Sequence, residues 1–289
     1  MSYPSTSLAV WTIRTGSVEL ASGEHYARST YSAQRKGKMV DRTILVRTWY
    51  TNGLIREEER NTFCEALATT LAEWKTAAAH PNVAAFTGVL VEGRQLPAFV
   101  RPLYQYNARE YVVSNPGVDV AHILVEVASA LSYLHCLEPI IVHGNMKAAN
   151  VLIDTDGRAV ISDLGLNELA IGAEGRGCDG PVNDIHWTAP ELIELDDART
   201  TTSTDVYGFA MTALELYSGD IPYGRDRRSF AILKDVLSGV RPCRPLSTAL
   251  NDDVWHVIEA CWRQNSRERP AMSLVRTWLD VATLSWVTR

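Results

Sequence analysis

The sequence predicts an α+β protein built as two lobes, the first rich in strands and the second helical. Three observations lead there. Up to about residue 104 the chain is dominated by short β-branched and aromatic runs. One long stretch free of Gly and Pro, residues 56–79, interrupts them. From about 105 to 285 apolar residues recur at helical spacing. Runs of strands followed by runs of helices fit an α+β design.

Residues 1–16 are assigned to an N-terminal lead-in, and 17–285 to one domain. Within 17–50 the alternating segments predict strands, ending in Thr43-Ile44-Leu45-Val46-Arg47-Thr48-Trp49-Tyr50. Residues 56–79 carry Ala, Leu and Glu, which predicts a long helix. His80-Pro81-Asn82 stops it, because proline disfavours helix in the residue before it. Two strands are expected at 83–91 and 97–103, joined by Glu92-Gly93-Arg94. Ile123, Leu124, Val127, Leu131 and Leu134 share one helical face, so a helix is expected over 119–136. Two short strands are expected around 143–165. Helices follow near 203–218, 228–238, 251–264 and 271–286.

Composition narrows the function classes. The chain has 289 residues, 46% of them hydrophobic, enough for a sizeable core. Its net charge is −6 and no basic cluster stands out, so wrapping nucleic acid is not expected. The five cysteines, at 64, 136, 178, 243 and 261, show no C-x-x-C pair. That argues against a zinc site and against a disulfide framework. The first residues lack a basic flank before an apolar core, so no signal peptide is expected. The longest mainly apolar stretch, 83–91, is too short to span a bilayer. A cytoplasmic or nuclear protein with protein partners, without nucleic acid or membrane, is the expectation.

Motifs then arrive in a fixed order. Val142-His143-Gly144-Asn145-Met146-Lys147-Ala148-Ala149-Asn150 is followed by Ile161-Ser162-Asp163-Leu164-Gly165. Next come Trp187-Thr188-Ala189-Pro190-Glu191 and Asp205-Val206-Tyr207-Gly208-Phe209. Cys261-Trp262 and Arg269-Pro270 close the series. Together they resemble the protein-kinase set of catalytic loop, D-F-G, A-P-E, D-V-W-S-F-G helix and C-W…R-P ending. The last resembles the tyrosine-kinase-like branch of serine/threonine kinases. The resemblance covers roughly residues 15–285. Small-molecule phosphotransferases also carry an H-G-D-x-x-x-x-N loop, but the A-P-E run and Arg269 disfavour them.

The resemblance implies roles. Glu191 and Arg269 match a buried ion pair. Asp205 matches the helix residue that holds the catalytic-loop backbone, and His143 and Leu164 match members of a hydrophobic column. Asp163 and Asn150 match the two metal-holding positions, and oxygen donors suit a hard cation such as magnesium. Lys147 matches the lysine that reaches the transferred phosphate. These three either bind metal and ATP or persist as a hydrogen-bond network.

Other positions depart from the family pattern. Asn145 stands where an aspartate accepts or orients the substrate proton. Loss of a general base costs roughly 10²–10⁴ in rate. Arg47 stands where the family has lysine, and its planar fork has a different reach. The partner glutamate should fall near Thr70 or Leu71. Glu65 and Glu73 are the nearest acids, so Arg47 either pairs with Glu73 or lies on the strand surface. The glycine-rich loop keeps Gly23 alone, where bare backbone amides should approach phosphate. Tyr104 sits at the expected hinge, so the cofactor-binding positions would be Gly23, Arg47, Tyr104 and Lys147. Arg101 falls where access behind the adenine is controlled. It either fills that pocket or reaches solvent.

From Leu164 to Trp187 there is no Ser, Thr or Tyr, and the phosphate-reading arginine is Gly144. The phosphorylation switch is therefore missing at both ends. Asp184 replaces the threonine that bonds the catalytic aspartate. It either pairs with Lys147 or acts as a displaced base. The resulting expectation is a pseudokinase acting as a scaffold or allosteric module. The rivals are a weakly active serine/threonine kinase and a nucleotide-binding switch without transfer.

Overall fold

The computed structural model describes residues 8–14, 16–21, 26–28, 32–50, 55–173, 184–195 and 198–287. The chain divides into two compact units. One comprises Met1–Ala78, Ala85–Leu103 and Gly165–Pro181; the other comprises Ala79–Ala84, Tyr104–Leu164 and Val182–Arg289. One unit carries an antiparallel sheet and the other is largely helical, as the α+β two-lobed expectation requires.

In the first unit the strands are β1 (Val18–Leu20), β2 (Ala27–Arg28), β3 (Ser32–Met39), β4 (Arg42–Trp49), β5 (Gly88–Leu90) and β6 (Ala98–Pro102). They pair in the order β1-β3-β4-β6-β5, with β2 also on β3. Alternation along a strand sends neighbours to opposite faces. On one face Ile44, Val46, Leu90, Ala98 and Val100 form a buried cluster. The register sets Leu45 beside Arg101 and Arg47 beside Phe99, so these four share the other face. Helix α1 (Glu57–Ala77) covers that face. Its Trp74 stacks on Phe99 at 5.0 Å, and its Phe63 meets Trp49 edge-on at 5.5 Å.

The strand expected over 83–91 is only Gly88–Leu90. Its beginning has other partners. Val83 bridges Ile161 in parallel, and the Ala84 N–H donates to the Ile161 carbonyl at 2.8 Å. The Asn82 side-chain amide donates to the Ala159 carbonyl at 2.9 Å. Backbone bonds spent there are unavailable to the first sheet.

The second unit contains a small sheet of β7 (Tyr106–Asn107), β8 (Val151–Ile153) and β9 (Ala159–Ile161). Its helices are α2 (Ala108–Ser114), α3 (Val120–His135), α5 (Pro190–Glu194), α6 (Thr202–Ser218), α7 (Ser229–Leu237), α8 (Asp252–Cys261) and α9 (Met272–Val287); α4 (Leu166–Ala173) belongs to the first unit. The five apolar residues that predicted α3 are all buried. Each such burial contributes about 1.5–3 kcal/mol relative to exposure. Helix α6 is buried from Thr204 to Tyr217, so it is a central core helix without a solvent face. A Thr201–Thr204 capping box starts it, and Gly219 at φ 71° ends it in the left-handed region that glycine tolerates. Among the described residues no helix is long and apolar enough to cross a membrane.

Candidate active site

The loop at 143–150 is held from beneath by α6. Asp205 is almost fully buried, and its carboxylate accepts the backbone N–H of His143 at 2.8 Å and of Gly144 at 2.9 Å. The His135 ring donates a third hydrogen bond at 2.9 Å. A buried carboxylate is tolerable when its oxygens are satisfied in this way. His143 is fully buried, and its Nδ1 accepts the Asn145 N–H at 3.2 Å. Burial holds its imidazole below the ordinary histidine range, so the ring is neutral.

Gly144 has φ +75°, and a Cβ there would sit 3.3 Å from the Thr200 hydroxyl oxygen. Glycine therefore suits this backbone, and an arginine at 144 would have to shift it.

The loop then turns through Ala148–Asn150 into β8. The Asn150 side-chain NH₂ donates to the Asn145 carbonyl at 2.8 Å, which orients the amide and leaves its oxygen for a cation. The Asn150 carbonyl accepts both the N–H and the hydroxyl of Ser162, at 2.8 and 3.1 Å. Asp163 follows directly, 4% exposed and in the left-handed region at φ 65°. The β8–β9 hairpin thus brings Asn150 next to the Ser162–Asp163 step. Two hard oxygen donors fit a divalent cation.

Lys147 is committed elsewhere. Its ammonium donates to both carboxylate oxygens of Asp184 at 2.7 Å. Of the two roles open to Asp184, the structure forms the pairing. A second carboxylate stands close by. Glu215 of α6 is 1% exposed; it accepts the Ala148 N–H at 3.0 Å and the Trp187 indole N–H at 2.9 Å, with the Arg109 guanidinium at 3.5 Å. Burial pushes the Glu215 carboxyl up, opposed by these donors and by the charges of Arg109 and Lys147. Glu215, Arg109 and Trp187 have no place in the motif-based site. An acid inside an otherwise apolar helical run, ten residues after Asp205, is the signal that would have found Glu215.

Glu191 and Arg269 form the expected pair, at 2.6 and 2.8 Å, with the Arg269 side chain fully buried. Tyr104 packs with Ala84, Leu152 and Val160.

In the first unit Arg47 lies partly buried on the face that α1 covers. Glu73 does not pair with it. Burial, and then the like charge of Glu168, push the Glu73 carboxyl up. Thr70, one of the two residues at which the family glutamate was expected, has its methyl 3.1 Å from where a Cβ on Gly165 would sit. Arg101 is 6% exposed and donates to the Pro102 carbonyl at 3.2 Å, so it turns inward instead of reaching solvent. Leu166 and Leu169 anchor α4, a helix that the hydroxyl-free run after Leu164 did not signal. Gly23 and residues 174–183 lie outside the described residues.

Comparison with known proteins agrees with this geometry. The family model for protein tyrosine and serine/threonine kinases matches residues 21–279. The chain is 28% identical over 217 residues to the speract receptor of Strongylocentrotus purpuratus, covering 69% of the chain and 19% of the receptor. It is 26% identical over 199 residues to a probable serine/threonine-protein kinase, drkC, of Dictyostelium discoideum, covering 66% and 26%. It is 22% identical over 253 residues to the serine/threonine-protein kinase TNNI3K of Mus musculus, covering 83% and 28%. The chain thus spans less than a third of the length of each. With the Asp205-anchored loop, the Asn150–Asp163 hairpin and the Glu191–Arg269 pair all formed, and the family model matched across nearly the whole length, the chain belongs to the protein tyrosine and serine/threonine kinase family.

Proposed function

We propose that this protein kinase domain acts mainly by binding, as a signalling scaffold or allosteric module, with phosphoryl transfer lost or strongly reduced. One observation carries this reading: Lys147, the phosphate-reaching position, is held by both oxygens of Asp184. Phosphoryl transfer relies on positioning and charge neutralisation, and a lysine already neutralised by a carboxylate contributes little to either. Asn145 adds the loss of a proton acceptor, because a neutral amide takes no proton at useful pH. Protein partners and a cytoplasmic or nuclear location accompany this reading.

The alternative is a weakly active serine/threonine kinase, favoured by the bracing of Asn150 against Asn145 and Ser162. In the family the domain generally binds ATP and magnesium. Here Asn150 and Asp163 would hold the metal, and a nucleotide-responsive switch without transfer would need no more than that.

A radiolabelled autophosphorylation assay decides between them. The binding reading expects no incorporation above background. Incorporation that disappears in Asp163→Ala would overturn it. A rise in melting temperature with Mg-ATP, without incorporation, would favour the switch.

A further inference from the structure

The hairpin of β3 and β4 closes on a two-residue turn, Val40-Asp41, because Met39 and Arg42 form its last paired rung. Turns of this length with positive φ at the first position ordinarily take glycine there. Here that position is Val40, at φ 54° and 84% exposed. A β-branched residue is strained in this region, and at such exposure its side chain buries little to offset the strain. Backbone strain without a return in packing points to a role in binding.

The strands behind the turn carry Arg35, Lys36, Lys38 and Arg42, all exposed. Alternation divides them between the two faces of the hairpin. Lys36 and Lys38 share one face with their in-register neighbours Leu45 and Thr43; Arg35 and Arg42 share the other with Val46 and Met39. Cations therefore flank the exposed valine on both faces. The Lys36 ammonium also lies 4.6 Å over the Tyr26 ring, which restrains it. Two exposed acids stand nearby, Asp41 in the turn and Glu19 opposite Lys38, and they offset only part of this positive charge. An apolar apex ringed by cations fits a surface that is anionic at its boundary and apolar just beneath, as a phospholipid bilayer is. Nucleic acid or an acidic protein segment would use the cations but leave Val40 without a partner.

We propose that the β3–β4 hairpin docks on anionic phospholipid, with Val40 entering the headgroup layer and Arg35, Lys36, Lys38 and Arg42 meeting the lipid phosphates and carboxylates. The contact lies on a membrane and does not cross it. It goes beyond the binding role proposed above and does not depend on whether the domain transfers phosphate. The net charge of −6 opposes the approach of the whole chain. Screening confines that repulsion to about 8 Å at physiological ionic strength, so the charges nearest the surface decide. Each cation held at the surface strengthens binding about fivefold. A single apolar apex with a few cations makes a reversible contact, not a permanent anchor.

Vesicle co-sedimentation of the full chain tests this, with vesicles of phosphatidylcholine alone or of phosphatidylcholine with about one third phosphatidylserine. At about 0.1 M salt the chain should bind the phosphatidylserine vesicles and not the neutral ones, and about 0.5 M salt should release it. Lys38→Gln with Arg42→Gln should weaken binding by roughly 25-fold, two steps of about fivefold. Val40→Asn should weaken it severalfold while the melting temperature holds or rises, which separates loss of the apex from loss of the fold. No binding to phosphatidylserine vesicles at low salt would overturn the proposal, as would binding indifferent to the two charge removals. Binding that falls with the charge variant but is unchanged in Val40→Asn would also overturn it, because the hairpin would then be a site for a soluble acidic partner.

Discussion

The ammonium of Lys147 lies 2.7 Å from each carboxylate oxygen of Asp184. The lysine side chain is 15% exposed and the aspartate 31%, so water screens the pair only in part. Asp184→Ala should therefore lower unfolding stability by about 1–3 kcal/mol, the cost of stranding a partly buried charge. A double-mutant cycle with Lys147→Met should give a coupling energy above about 0.5 kcal/mol. A melting temperature unmoved by Asp184→Ala would mean that the contact does not hold the loop.

The same pair predicts a failed rescue. Asn145→Asp combined with Arg47→Lys restores the two family residues that are most plainly absent. Transfer should stay near background, because Lys147 is still neutralised by Asp184. Autophosphorylation by that double variant would show that the ion pair opens readily during turnover.

Glu191 and Arg269 should matter more for stability than any exposed pair. Arg269 is fully buried, while Glu191 keeps a quarter of its side-chain surface. Glu191→Ala leaves the guanidinium with backbone carbonyls of Arg263 and Ser203 but no counter-charge. The expected loss is about 2–3 kcal/mol, somewhat under the figure for wholly buried pairs because Glu191 is partly wet. Urea unfolding measures it, and a loss below half a kcal/mol, roughly that of an exposed pair, would contradict the buried geometry.

His143 gives the acid branch of the stability curve a defined sign. Its ordinary value is 6.5, and burial lowers it in the folded protein. Below 6.5 the unfolded chain thus binds a proton that the folded chain refuses. The stabilising contribution is complete above that pH and declines as pH falls, by up to about 1.4 kcal/mol per unit until the folded value is reached. His80 is lowered too and adds the same sign. Unfolding free energies of wild type and His143→Gln, compared above and below the ordinary histidine value, isolate the His143 share. Parallel curves would remove it.

Val40 offers a gain. It is 84% exposed at the tip between β3 and β4, with φ 54°. A β-branched residue is strained in the left-handed region and here buries little in return. Val40→Asn should raise stability by about 1 kcal/mol, since asparagine tolerates that conformation. A lower urea midpoint in the variant would argue that Val40 makes a contact of value.

Much of this was legible in the residues because it was local. The spacing of Ile123, Leu124, Val127, Leu131 and Leu134 specified both a helix and the face it buries. The absence of Gly and Pro over 56–79 gave α1 to within two residues at each end. The Glu191–Arg269 pair was expected from motif identity, 78 residues apart, and it forms. The run at 83–91 misled for a definable reason. Its apolar residues suit a strand in either unit, and the partners that claimed Val83 and Ala84 lie more than 75 residues away.

The sequence by itself determined the α+β class, the order of the helices longer than eight residues and, through the resemblance of its motifs, the altered positions Asn145, Gly144, Arg47 and Asp184. The class and the helices follow from periodicity, and the altered positions from motif resemblance, both of which a linear chain carries directly. Only the tertiary structure decided which neighbours the side chains of Asp184, Arg101 and Glu73 meet. Asp184 could have paired or stood apart, Arg101 could have turned inward or outward, and Glu73 could have met Arg47. Each choice depends on which charges and which apolar surfaces arrive together when the chain closes. Closure set Asp184 on Lys147, turned Arg101 inward, and brought Glu73 beside Glu168.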